Sequence, residues 1–95
     1  MEKGNRIGAI LGADPKTKVI KVLGYGTYDG EFRPEDWPIE NPRLTLDNGQ
    51  VVWGYECWWG PEEIMKQKLE TWKEQGYTIK EVDIEVERYR VTESQ

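Results

Sequence analysis

Residues 51–63, Val51-Val52-Trp53-Gly54-Tyr55-Glu56-Cys57-Trp58-Trp59-Gly60-Pro61-Glu62-Glu63, concentrate the groups in this chain that could do chemistry. They hold three of the five tryptophans, the only cysteine and, between Tyr55 and Cys57, a carboxylate. A cysteine could be a nucleophile, but a reactive thiolate needs nearby positive charge, and Cys57 is flanked by Glu56 and Trp58. It reads as a small buried filler. The chain contains no histidine. That removes the commonest general base and metal ligand, and with it the Ser-His and Cys-His nucleophile systems. Only carboxylates, Tyr and Lys remain for catalysis, and they form no paired arrangement in the sequence. No enzyme activity, cofactor or metal site is therefore expected. Glu56 must reach solvent, pair with Arg43, Arg33 or a lysine, or contact a ligand.

The other chemistry on offer is recognition. Trp53 and Trp72 suit a core. Trp37, Trp58 and Trp59 exceed what so small a core can hold, so at least one should line a pocket or an interface, where Trp and Tyr dominate binding energy. Gly24-Tyr25-Gly26-Thr27-Tyr28-Asp29-Gly30 is glycine-rich but lacks a Gly-Lys-Ser/Thr ending and opens no helix, so a twisted strand end fits it better than a phosphate loop. Its glycines could still let backbone approach a ligand closely. Arg33 and Arg43 lie between the two hairpins and could meet an anionic group. The carboxylates from Glu81 to Glu87 read as a solvated face, and they are too few for a nucleic-acid mimic to lead.

Composition narrows the class. Ninety-five residues form one domain, able to fold alone with modest stability. A charged fraction of 33% would permit disorder, but five Trp and five Tyr argue for a core. The net charge of −5 disfavours binding to nucleic-acid polymers or anionic membranes and permits a basic partner. One cysteine makes no internal disulfide, so a reducing cytoplasm is expected. No signal peptide and no apolar run long enough to span a bilayer is evident.

These residues need elements to position them. Residues 6–12 and 18–23 read as a hairpin joined by turn chemistry at residues 13–17. Residues 24–30 continue or bend its second strand, and residues 31–42, with three prolines, read as an ordered loop. Asn48-Gly49 between alternating runs predicts a two-residue hairpin turn with positive φ at both positions. That register pairs Leu46 with Val51 and Leu44 with Trp53. Leu44, Leu46, Val51, Trp53, Tyr55 and Cys57 then share one face, and Thr45, Val52, Glu56 and Trp58 the other. Pro61 suits the first helical position, Glu62 and Glu63 complement the dipole, and Gly76 ends the helix. Ile64, Met65, Leu69 and Trp72 form its apolar stripe. Residues 78–91 alternate as a half-buried strand. The order β-β-loop-β-β-α-β predicts an α+β domain: a largely antiparallel sheet of about five strands with one packed helix.

The segment from Leu46 through Asn48-Gly49-Gln50-Val51-Val52-Trp53-Gly54-Tyr55-Glu56-Cys57-Trp58-Trp59-Gly60-Pro61 to Glu63 resembles a hallmark of small proteins encoded by tailed bacteriophages and prophages. Leu23-Gly24-Tyr25-Gly26-Thr27-Tyr28 and Asn41-Pro42 are similar too, and the resemblance spans roughly residues 6–87. The resemblance brings no settled activity or catalytic residues. It implies a context, the cytoplasm of a host cell, where phage accessory proteins modulate the host and some sequester nucleotide immune signals. The expected working surface joins Tyr25, Tyr28, Arg33, Trp37, Arg43, Glu56, Trp58 and Trp59. It would bind a small planar or anionic ligand, or serve as a protein-interaction module, in a homo-oligomer or against a host protein.

Overall fold

The computed structural model describes residues 1–93, with side chains described through residue 89. The elements are β1 (Arg6–Asp14), β2 (Val19–Phe32), β3 (Asn41–Leu46), β4 (Val51–Trp53), β5 (Trp58–Pro61), α1 (Glu62–Glu74), β6 (Thr78–Glu81) and α2 (Ile84–Glu93). The fold is α+β, as the patterning predicts. Five strands run β4-β3-β2-β1-β5 and β6 adds to β2. All pairings are antiparallel except β2 with β6.

β2 is the spine. It is 14 residues long, and from Val19 to Thr27 it pairs with β1 along one side. On the other side its first residues pair with β6, from Val19↔Thr78 to Val22↔Glu81, and its later ones with β3, from Gly26↔Leu46 to Phe32↔Asn41. The side opposite β1 is therefore forked, with Leu23, Gly24 and Tyr25 between the two branches. A Cβ at Gly26 would overlap the main chain of Thr45 and Leu46, so glycine is needed where β3 joins. β5 and β6 are parallel strands on either side of the β1–β2 pair, and α1 crosses over that pair to connect them.

Each face of the sheet has its own core. Ile10, Ile20, Val22, Met65 and Leu69 pack beneath α1. Ile7, Ala9, Leu23, Tyr28, Leu44, Leu46, Val52 and Ile84 pack on the opposite face. Ordinary strand alternation sends Ile7 and Ala9 to one face and Ile10 to the other, so β1 serves both cores.

Four expectations are corrected. The β3–β4 turn spans three residues, 47–49: Leu46 N–H donates to the Gln50 carbonyl and Gly49 N–H to the Leu46 carbonyl. Only Gly49 has positive φ, at 90°; Asn48 does not. The extra loop residue slips the register by one, so Leu44 pairs with Val52 and Arg43 with Trp53. Val52 is buried beside Leu44 and Leu46, while Val51 is exposed, the reverse of the two-residue register. Second, residues 51–58 are not one strand. A 3₁₀ turn at Gly54–Glu56 breaks them, and β5 then crosses to pair with β1. Third, Pro61 ends β5 as the helix N-cap rather than the first helical residue, and Ile64 is 48% exposed, outside the buried stripe. Gly76 does end α1: its N–H reaches the Lys73 carbonyl, and Tyr77 N–H reaches that of Trp72.

Fourth, residues 78–91 are not one strand. β6 ends at Glu81 and α2 begins at Ile84. Asp83 caps α2, its Oδ1 accepting from the Glu85 and Val86 N–H groups at 2.8 and 3.4 Å. In the helix Ile84 and Glu87 lie on one buried side, three residues apart, while Val86 is exposed. Among the described residues no helix is long and apolar enough to cross a membrane.

Candidate functional site

The aromatic residues expected to form one surface are divided among four places, Tyr25 lying apart from the others. β5 alternation sends Trp58 and Trp59 to opposite faces of the sheet. Trp59 stacks on Tyr28, with centroids 5.6 Å apart and rings 9° from parallel. Tyr28 is only 9% exposed, so this pair belongs to the core beneath α2. The Tyr28 hydroxyl donates to Glu31 at 2.5 Å, which, with burial, raises its pKa. Trp58 is 55% exposed beside α1, with its ring 6.4 Å from Trp72. Trp37, from the loop after β2, stacks on Tyr55 of the 3₁₀ turn at 4.8 Å, and both are largely exposed.

Of the charged candidates, Arg43 and Glu56 are engaged. Arg43 lies over the Phe32 ring at 3.8 Å, and its Nε donates to Asp29, which also accepts from Thr45. Arg33 is exposed and lines a shallow hollow with Trp37. Glu56 pairs with Arg88, a partner that the sequence did not suggest. Arg88 Nη2 and Nε reach its two oxygens at 2.7 and 2.9 Å, and Glu56 also accepts from the Trp53 N–H at 3.0 Å. Cys57 is packed against the core; burial and the Glu56 charge push its thiol up to about 12, so it is a neutral filler rather than a nucleophile at pH 7.

A deeper concavity than the Arg33–Trp37 hollow lies elsewhere, at the fork of the sheet. A cavity of about 720 Å³ opens where β3 and β6 diverge from β2, under one flank of α1. Val22, Leu23, Leu46, Leu69 and Ile79 supply apolar walls. Tyr25 is the one expected site residue that lines it. Lys66 and Lys73 project from α1 two turns apart, and Asn48, Asp47, Glu70 and Glu81 complete the rim. Lys66 Nζ sits 5.4 Å from the Tyr25 ring centroid. Asp47 is held by two Arg6 hydrogen bonds of 2.7 Å, which lower its pKa and neutralise its charge at the rim. Arg6 also reaches Glu62 at 3.1 Å, so one guanidinium ties the β3–β4 turn to the start of α1. Lys73 is 3.3 Å from Glu70, an exposed pair that a ligand can displace at small cost.

This cavity depends on the forked pairing of β2, which local sequence patterns do not reveal. The available signal was narrower: Lys66, Leu69 and Lys73 share one helical flank. Among the described residues no group of three His, Cys, Asp or Glu side chains could hold a metal ion. No protein-family model matches the chain, and no curated protein or solved structure matches it either.

Proposed function

We propose that this chain is a non-catalytic binding protein whose fork cavity takes a small planar ligand carrying an anionic group. The observation that carries this reading is the coincidence, in one concavity, of an aromatic face at Tyr25, apolar walls and two lysines. Its volume lies within the roughly 300–1,000 Å³ typical of small-molecule sites. A planar ring would lie along Tyr25 and the Leu46 and Ile79 walls. The anionic group would reach Lys66 or Lys73, and Glu81 could accept from a ring N–H. The phage resemblance suggests the ligand class, a nucleotide-type signal in a host cytoplasm.

The test is calorimetric titration with AMP, GMP, CMP and UMP, alongside the matching nucleosides and inorganic phosphate. Lys66→Glu and Lys73→Glu should each weaken nucleotide binding about 10- to 150-fold, the range for losing a charged hydrogen bond. Trp58→Ala, remote from the cavity, should leave it unchanged. No binding by any nucleotide, together with an empty protein in native mass spectrometry of material taken directly from cells, would sink the reading.

A second reading is favoured by the exposed aromatics. Trp58 and the stacked Trp37–Tyr55 pair are suited to anchoring a protein partner, either another copy of this chain or a host protein. The same mass spectra report it: a doubled mass or a retained polypeptide supports it, and an unaccompanied single chain counts against it.

A further inference from the structure

Of the sheet's outer strands, β4 and β5 are treated differently. At β4, Val52 faces β3, so the main-chain groups of Val51 and Trp53 point outward. Both residues have an outward group occupied: Arg88 Nη2 donates to the Val51 carbonyl at 3.2 Å, and Glu56 accepts from the Trp53 N–H at 3.0 Å. The Glu56–Arg88 pair thus closes this edge against another strand. At β5, among the described residues, no side chain bonds the main chain of Trp58, Trp59 or Gly60. The strand is uncharged, with only Pro61 at its end to discourage pairing. The flank of α1 above it presents Lys68 and Trp72 next to Trp58, with the exposed Ile64 further along the same helical flank.

We propose that this β5 edge is the surface through which two copies of the chain pair, antiparallel about a two-fold axis. The inference rests on the second reading above and is independent of the fork cavity. Self-association of a chain with net charge −5 needs a surface poor in carboxylates, and the β5 strand and this α1 flank provide one. A two-fold arrangement sets uncharged strand against uncharged strand. It also lays the two α1 helices side by side in opposite directions. The acidic first turn of one, with Glu62 and Glu63, then lies toward the Lys73-bearing last turn of the other, which complements both helix dipoles. Ile64, exposed in one copy, comes toward Trp58 and Trp72 of the second. This accounts for two large apolar side chains, Trp58 and Ile64, that the monomer leaves in water.

Sedimentation velocity across micromolar concentrations, near physiological salt, tests the proposal. The unaltered chain should show a species of twice 11.1 kDa. Trp58→Lys and Ile64→Lys should each raise the dimer dissociation constant about tenfold or more, as expected for loss of an interface anchor. Their melting should be nearly unchanged, because both side chains are exposed. Tyr55→Lys, on the opposite side of the sheet, should leave the dimer intact. Amide exchange at residues 58–60 should slow as concentration rises, a measurement that stands even if a variant fails to fold. A dimer indifferent to both lysine substitutions overturns the β5 surface while leaving self-association standing. A monomer throughout the range overturns both, and exchange independent of concentration overturns the β5 surface.

Discussion

α1 and α2 cover opposite faces of one sheet and are held there by different chemistry. α1 buries Met65 and Leu69, packs Trp72 beside them, and ends in a glycine cap. α2 buries one described apolar side chain, Ile84. The rest of its described attachment is polar: Arg88 on Glu56 and the Val51 carbonyl, Asp83 as its cap, and Glu87 3.6 Å from Lys21. Apolar burial makes one helix inseparable from global folding. A polar clamp allows the other to be released separately.

The strongest way to test that contrast is Leu69→Ala. It should cost about 2 to 5 kcal/mol and lower the urea midpoint of the whole domain as one transition. Arg88→Ala should cost less, about 1 to 2 kcal/mol, because the pair it removes is partly exposed and solvent-screened. Its effect should be local: amide protection falls across residues 84–89 and persists in α1. Equal loss in both helices would refute the separate attachment. Gly49→Ala, at a φ of 90° in the turn beside Gln50, should cost about 1 kcal/mol, whereas Asn48→Asp, which keeps the side-chain oxygen that accepts from the Gln50 N–H at 2.9 Å, should cost little because residue 48 lacks positive φ. Equal costs at both positions would restore the two-residue turn.

Acidification should give the smallest effect and the same ranking. Gln50 and the Glu85 N–H hold Asp83 below the usual carboxylate range, and Arg6 does the same for Asp47. A carboxylate whose folded pKa is depressed contributes stability above its unfolded value, and that contribution is lost as pH falls through the folded one. Amide protection in α2 should therefore fade below about pH 4, before that of α1. Fading of α1 first would contradict the assignment.

The same contrast shows what could be read from the chain alone. α1 was legible because a three-to-four-residue apolar period, acidic first turn and terminal glycine agree. α2 was not, because Val82-Asp83-Ile84-Glu85-Val86-Glu87 alternates strictly and satisfies a strand pattern as well. Asp83 as a cap ahead of Glu85 and Glu87 was the overlooked signal. In the β3–β4 hairpin, Asp47-Asn48-Gly49 is compatible with a two- or a three-residue loop, and that single residue decides which side of β4 is buried. The strand signal through residues 51–58 ignored the break at Gly54. There a Cβ would crowd Pro42 and the Trp59 ring, a contact known only once the chain has folded. The candidate surface failed to assemble as drawn for the same reason: side chains adjacent in sequence, such as Trp58 and Trp59, were separated by strand alternation. The fork cavity joins residues brought together by long-range pairing.

That pairing also imposes an order of assembly. The later part of β2 finds β3 soon after both are synthesised, but Val19 must wait for Thr78. Local hairpins close early, whereas contacts so distant along the chain close late. Until β6 arrives, Val19-Ile20-Lys21-Val22 presents an unfilled strand edge rich in β-branched residues, a template for pairing with other chains. Any variant that slows the docking of β6 should therefore reveal itself first as aggregation during synthesis or refolding, before equilibrium stability registers the change.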